Sequence, residues 1–464
     1  MSPPPGSSLA EARAWLDGHV NLEATAGDTE GLSLQPMRSL LAALGEPHAD
    51  YPAVHITGTN GKGSVATMVA ALAEAWGMTV GTYASPHVER INERMSVGGT
   101  PIGDEDLAEV LHHLRLVEGY VIAGGTGVIA GGTGVTAGGT GVTSGGEGPV
   151  PSWFELVTAA AFRWFADVAV DLAVVEVGKL GRYDATNVVN SRVGVITNIG
   201  RDHTDGRPGW ERAVMEEKAG ILHDQAVAVL GPMAPELVAI AQQESPRELL
   251  VAGRHFELEE NRPAVGGRVV TVRTPRARYE DVYVSLFGAH QGDNAALALT
   301  AFEALVDQEL DESVLAGMGG VAIPARFEVV GRQPLVVIDG AHNPDGLAAA
   351  AATLAEQFSV LGTVTWVVGM MGDKDPDAML AAIDTSDARC DRVVGCAPDW
   401  PRALPAAAVA AAATNRGIDA EIAGQVGEAV DRALALSADE DAVVIAGSLY
   451  TAGAARLHML SGNS

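Results

Sequence analysis

Apolar residues along the chain fall into two alternating kinds of segment. Short β-branched runs such as "AVHIT", "TVGTYAS", "DLAVVEV", "RVGVITNIG" and "AVAVLG" are separated by longer alanine-rich stretches such as "SVATMVAALAEAWG". A run of apolar residues without alternation suits a strand buried on both faces, and helices between such strands give the crossovers of a parallel sheet. The pattern therefore predicts an α/β fold. It resumes at "PLVVIDG", "GLAAAAATLAEQF", "VTWVVG", "DRVVGCA" and "DAVVIAGS", with the stretch from Pro324 to Pro334 as a hinge between two such sheets. The expected units are 1–323, a hinge at 324–331, and 332–464.

One segment breaks the pattern. Ala123–Gly148 reads "AGGTGVIAGGTGVTAGGTGVTSGGEG", a seven-residue unit repeated three times with a degraded fourth copy. Its glycine content disfavours a helix and offers no apolar seam, so a surface insertion without chemistry is expected.

Composition narrows the class. At 464 residues, 47% hydrophobic and 19% charged, the chain has the makeup of a globular protein of two or three domains. Its 59 acidic and 30 basic residues give a formal charge of −29, so general affinity for nucleic acid or an anionic membrane is not expected. Any anionic ligand must be drawn by local groups. Cys390 and Cys396 are too few for a disulfide framework or a four-thiolate zinc site and read as reduced structural thiols. The start of the chain shows no charged-then-apolar leader and no long apolar span, so the expected compartment is the cytoplasm.

Candidate chemistry begins at "VHITGTNGKGSVAT", where an apolar strand enters glycines around one lysine and then a helix. Such a turn gathers backbone N–H groups and the positive end of a helix around one point, which suits a phosphate. The glycines Gly58, Gly61 and Gly63 would let the backbone close around it, Lys62 would meet the distal phosphates and Ser64 would offer a hydroxyl to magnesium. The strict phosphate-loop spacing is not met, because Ile56 stands where its first glycine belongs and Gly63 separates Lys62 from Ser64. A tight strand-to-helix turn alone would also use these glycines. Downstream, "VVEVGKLGRYDATNVV" delivers Glu176 to a strand's C-terminal end, where ligands of doubly wound sheets sit. A carboxylate there suits magnesium. The next strand ends in Arg201-Asp202-His203-Thr204, followed by "EEKAGIL" with Lys218, "GAHQGDNAALAL" with Asn294, "IPARFEVV" with Arg326 and "VVIDGAHNPDG" with Asp339, His342 and Asn343. Taken one at a time, these also suit loop chemistry or helix capping.

In combination they resemble one family. The order GTNGKGS, SPH, ERI, E-V-G-x-x-G-R-x-D-A-T-N, D-H-T, E-K-A-G-I, HQ-x-x-N-A, P-x-R-F-E and D-G-A-H-N-P, from about Leu40 to Arg456, is similar to the folylpolyglutamate synthase and dihydrofolate synthase family of the Mur ligases. The resemblance implies a P-loop-type, mostly parallel ATP-binding domain and a smaller Rossmann-like glutamate-ligase domain. It implies an enzyme that joins L-glutamate to the carboxylate of dihydropteroate or a reduced folate, using ATP and an acyl phosphate, and working as a monomer. Thr59 and Asn60 would join the glycines in the phosphate cradle, and Lys62 would stabilise the migrating phosphoryl group. Ser64, Ser85 and Glu176 would hold one Mg²⁺, and His203 with Glu176 a second. Lys218 would be carbamylated, Asn294, Arg326 and Asp339 would contact the nucleotide, and His342 with Ser448 would face glutamate.

Two departures stand on the acceptor side. The family's G-x-G-G-R reads Gly178-Lys179-Leu180-Gly181-Arg182 here, and the element after Asp202-His203-Thr204 reads "DGRPGW". If the replaced glycine needs φ > 0, Leu180 strains the loop. A non-folate acid acceptor, or a nucleotide-binding protein without catalysis, are the other readings left open.

Overall fold

The computed structural model describes residues 8–21, 33–125, 148–201, 208–385 and 389–461. Most of the repeat, His203 with its neighbours Asp202 and Thr204, and part of "DGRPGW" lie outside the described residues. At the base of the repeat, the Gly148 N–H donates to the Ile122 carbonyl at 2.9 Å, so the described ends of the insertion meet.

Eight strands form the first sheet: β1 (Ala53–Thr57), β2 (Val80–Tyr83), β3 (Met95–Val97), β4 (Thr100–Pro101), β5 (Leu172–Glu176), β6 (Ser191–Ile196), β7 (Val227–Leu230) and β8 (Glu248–Val251). Their order is β4-β3-β2-β5-β1-β6-β7-β8, parallel from β2 through β8. Every residue of β1 and β5 is buried because helices cover both faces, which is why these strands read as unbroken apolar runs. Helices Lys62–Ala75 and His290–Val306 pack on one face through Val65, Val69 and Leu297. Helices Asp104–Ile122 and Trp153–Val168 pack on the other through Leu111 and Phe162.

Register places the chemistry. Ile56 lies beside Glu176 and Thr57 beside Ile196, so the glycine loop after β1, the acid ending β5 and the Thr197-Asn198 tail of β6 emerge side by side.

An antiparallel sheet of β9 (Glu257–Ala264), β10 (Gly267–Arg273) and β11 (Arg278–Val284) follows. The α/β reading did not anticipate it, although charged residues alternate along "RYEDVYV" as an exposed antiparallel strand allows. The second large sheet has the order β12-β13-β17-β14-β15-β16, formed by Glu328–Arg332, Leu335–Ile338, Ala442–Ala446, Val364–Val368, Arg392–Gly395 and Asp419–Ile422 respectively. β12 is its antiparallel edge, so part of the segment expected as a hinge belongs to this sheet. No helix among the described residues is long and apolar enough to cross a membrane.

Three sets of contacts tie the second sheet's layer to the rest. Arg268 of β10, 1% exposed, bonds Glu356 of helix Pro344–Gln357 at 2.6 Å. Phe287 meets Phe327 at 5.8 Å and Phe358 at 5.4 Å between ring centres. Arg456 of helix Leu449–Ser461 bonds Glu328 at 3.0 Å and also pairs with Glu89.

Arg268 is the buried member of its pair, so losing it leaves Asn261 and Glu356 without their donor. Arg268→Met is expected to lower stability by about 2 kcal/mol, read from the midpoint and slope of urea unfolding.

Candidate active site

The glycine loop is shaped by what crowds it. Gly58 has φ 149° and Gly61 has φ 85°, and a Cβ on either would stand 1.8 Å from Thr197 Oγ1 or 2.4 Å from Asn294 Oδ1. Only glycine fits both positions. Thr197 Oγ1 donates to the Asn60 carbonyl at 2.6 Å, and Asn198 both donates to that carbonyl at 3.1 Å and accepts from the Asn60 N–H at 3.0 Å. From the second domain, Asn343 Nδ2 donates to Asn60 Oδ1 at 3.0 Å, while Asn343 Oδ1 caps helix Pro344–Gln357. The loop is thus gripped by β6 and by the second domain together.

Positive charge converges on the loop. Lys62 Nζ donates to the Gly58 and Thr59 carbonyls at 3.2 Å each, and Lys218 Nζ, from helix Trp210–Ala219, reaches the same Gly58 carbonyl at 2.8 Å. Lys218 is 5% exposed. Glu176 faces them from the end of β5, with one carboxylate oxygen 3.5 Å from where a Cβ on Gly63 would lie. Burial raises its carboxyl above the usual range, opposed by Lys62, Arg326 and the Ser85 N–H.

The oxygen donors around Glu176 fit a hard divalent cation. Ser85 Oγ is buried with no hydrogen-bond partner among the described residues, and the Ser64 hydroxyl lies in the same cleft. An orphaned buried hydroxyl beside a buried carboxylate fits a hard cation, and an all-oxygen set suits Mg²⁺. Among the described residues no group of three His, Cys, Asp or Glu side chains gathers.

Across the cleft, Arg326 stands between Ala325 with φ 56° and Phe327 with φ 46°, both in the left-handed region. Asp339 accepts from the Phe327 and Ala341 N–H groups at 2.7 Å each. Burial raises the Asp339 carboxyl, and Arg326 opposes the shift. His342 lies at the cleft with Nδ1 3.0 Å from the Gly340 carbonyl.

These groups line one cleft of about 430 Å³: Gly58 through Ser64, Ser85, Glu176, Lys218, Asn294, Arg326, Asp339 and His342. Ser448 does not line it. Its buried hydroxyl lies 2.8 Å from Thr451 Oγ1 and accepts from the Thr451 N–H at the start of the last helix. His203 is outside the described residues. Two contributors were not singled out from sequence, the Thr197-Asn198 pair and the Asn60–Asn343 bridge. The polar "TN" closing an otherwise apolar strand was the available signal for the first.

The acceptor-side departure is visible in the backbone. Leu180 has φ 60°, the conformation glycine would take without strain. Its carbonyl accepts from Thr57 Oγ1 at 2.6 Å, and the Lys179 N–H donates to Asp184 Oδ2 at 2.9 Å. Asp184 Oδ1 accepts from Thr186 Oγ1 at 2.5 Å, so that hydroxyl can only accept from His55 Nε2, 2.9 Å away. His55 is therefore the Nε2–H tautomer. Burial, assisted by His223, pushes its pKa down to about 3.

Two outcomes follow for this network. Gly58→Ala should weaken ADP binding more than about 10-fold by calorimetry while circular dichroism stays unchanged, since only the loop is displaced. The neutral folded His55 binds fewer protons than the unfolded chain below the ordinary histidine pKa of about 6.5, so its share of stability is lost as pH falls from there towards its folded value. Between pH 7 and 5, His55→Gln should lose about 2 kcal/mol less stability than the wild type in urea unfolding at the two pH values.

Comparison with known proteins agrees with this geometry. Residues 154–302 match the Mur ligase middle domain, and residues 325–449 match the Mur ligase glutamate ligase domain. The chain is 38% identical over 453 residues to the dihydrofolate synthase/folylpolyglutamate synthase of Mycobacterium tuberculosis, covering 91% of this chain and 89% of the relative. A structure of Mycobacterium tuberculosis folylpolyglutamate synthase complexed with ADP superposes with a TM-score of 0.85 at 35% identity, over 97% of this chain and 98% of that one. A structure of the Escherichia coli protein in complex with DHPP and ADP superposes with a TM-score of 0.81 at 25% identity, over the full length of both. The chain belongs to the folylpolyglutamate synthase/dihydrofolate synthase family and is an ATP-dependent folate–glutamate ligase of the Mur type.

Proposed function

We propose that the enzyme adds L-glutamate to the carboxylate of dihydropteroate, of tetrahydrofolate, or of both, through an acyl phosphate formed at the cleft between the two domains. The observation that carries this reading is the Lys62 ammonium at the carbonyls of a crowded glycine loop, opposite a buried Glu176, in one cleft lined from both domains. Such a loop and cation suit a polyphosphate whose terminal group moves. The relatives with ADP bound support the nucleotide side.

A carboxylate is a poor electrophile, and phosphorylation gives it a leaving group. The glutamate amine then attacks, and phosphate departs. In this reading Gly58 through Ser64 hold the phosphates, and Lys62 follows the charge onto the transferring phosphoryl group. Asn294, Arg326 and Asp339 grip the nucleotide from both sides, and His342 faces the incoming glutamate.

Ser64, Ser85 and Glu176 would hold Mg²⁺, and His203 with Glu176 a second ion. Bound there, magnesium neutralises phosphate charge and orients the reacting oxygens. Carbamylation of Lys218 belongs to the same proposal. A buried ammonium beside a divalent cation is repelled, whereas a carbamate supplies oxygen. Residues 1–323 would bind ATP and 332–464 would serve ligation, with 324–331 between them. Closure would shield the acyl phosphate from water.

The test is product mass and ADP release with Mg-ATP, L-glutamate and either dihydropteroate or tetrahydrofolate. Glutamate addition with at least one acceptor is expected, falling about 100-fold or more in Lys62→Ala. Nucleotide binding without an adduct on either acceptor would overturn the proposal.

A further inference from the structure

Four lysine or arginine side chains line the cleft among the described residues. Lys62 and Lys218 donate to loop carbonyls, and Arg326, half-buried, stands near two buried carboxylates, Glu176 and Asp339. Lys179 is the exposed one of the four, and its side chain has no hydrogen bond or ion pair among the described residues.

Its backbone, by contrast, is fixed on both sides. The Lys179 N–H is held by Asp184 at 2.9 Å, Asp184 is held through Thr186 and His55 to β1, and the next carbonyl, that of Leu180, is held by Thr57 at 2.6 Å. Gly178 on the other side is closed over by Phe154, whose Cζ would stand 2.3 Å from a Cβ there. The ammonium thus stands on a short tether from a fixed point, three residues beyond Glu176.

A chain of formal charge −29 repels anionic substrates in general, so an unpaired cation inside the cleft is a local attractor. In the ligase reading the phosphates take the loop after β1, which leaves the loop after β5, where Lys179 stands, to the acceptor. A folate acceptor ends in a glutamate with two carboxylates. The γ-carboxylate reacts, and the α-carboxylate beside it is a spare anion that does not.

Resting on the ligase reading above, we propose that Lys179 is a specificity-determining residue that docks the non-reacting α-carboxylate of a glutamylated acceptor. A charge-assisted bond at an accessible site shows mainly as binding of that acceptor. An acceptor without a spare carboxylate gains nothing from it.

The experiment compares tetrahydrofolate with its analogue carrying γ-aminobutyrate in place of glutamate, which keeps the reacting carboxylate and lacks the spare one. KM and kcat are measured for wild type, Lys179→Met and Lys179→Arg, with KM for ATP as the internal reference. The expected result is a KM for tetrahydrofolate about 10-fold higher in Lys179→Met, partial recovery in Lys179→Arg, and little change in KM for the analogue or for ATP. Higher salt should weaken tetrahydrofolate binding to the wild type more than to Lys179→Met.

An equal rise for both acceptors, a fall in kcat at unchanged KM, or a shift in KM for ATP would place Lys179 at the reacting phosphate instead and overturn the assignment. So would no change at all. In each of those cases an active wild type leaves the ligase reading standing. A wild type that glutamylates neither tetrahydrofolate nor dihydropteroate overturns both.

Discussion

Lys62 and Lys218 reach one carbonyl, that of Gly58, from different helices at 3.2 and 2.8 Å, and that convergence organises the cleft. A backbone oxygen carries only a partial negative charge, and Glu176, which faces the loop, is buried where burial itself disfavours its ionised form. The loop thus gathers cations in a chain that is strongly acidic as a whole. A surface of that sign keeps anions at a distance, and the attraction is confined to one point.

Holding that point in shape takes contributions from both domains. β1 contributes the loop, β5 the acid and β6 the Thr197-Asn198 grip, and their emergence together follows from parallel register alone. Asn60 goes further. Its backbone is held within the first domain, but its side chain bonds Asn343, whose other amide atom caps a helix of the second domain. One buried amide thus joins the start of that helix directly to the glycine loop. Arg326 makes the converse connection. It influences the buried carboxylates Glu176 and Asp339, which end strands of different sheets. The site is complete only when the two sheets sit together.

Much of this was legible in the chain. Unbroken apolar strands gave the parallel sheets because burial on both faces leaves no polar positions to alternate. The glycine loop and Glu176 stand at strand ends, Asp339 just after a strand and Asn294 near the start of a helix, where sequence shows them, while Lys218 lies in the last turn of helix Trp210–Ala219 and Arg326 in the turn before β12; the structure brings them all to one cleft. Ser448 shows the limit. It also stands after a strand, but its hydroxyl is taken up in capping the last helix, and whether a strand-end serine caps or reaches outward is a matter of side-chain orientation. The Asn60–Asn343 bridge was beyond reach for another reason: it joins residues separated by 283 positions, and nothing local marks either as the other's partner. The three-stranded sheet was missed because its strands pair antiparallel, with one face exposed, outside the βα alternation that organised the rest.

Backbone strain gives a second view of the same site. Leu180 and Phe327, which line the cleft, and Ala325 next to Arg326 are non-glycine residues with positive φ. Such conformations cost on the order of 1 kcal/mol each and persist only where the surroundings over-determine them. Each has its anchor: Thr57 on the Leu180 carbonyl, Glu328 on the Ala325 N–H at 2.9 Å, and Asp339 on the Phe327 N–H at 2.7 Å. The anchors are themselves tied to the framework. Thr57 ends β1, Asp339 follows β13, and Glu328 is held by Arg456, which reaches on to Glu89 in the first domain. Strain and anchors thus occur beside Lys179 and Arg326, both of which line the cleft with the glycine loop. Leu180 fits this pattern. A leucine in a glycine conformation is tolerated there because the loop is pinned, and the same pinning fixes the base of the lysine beside it.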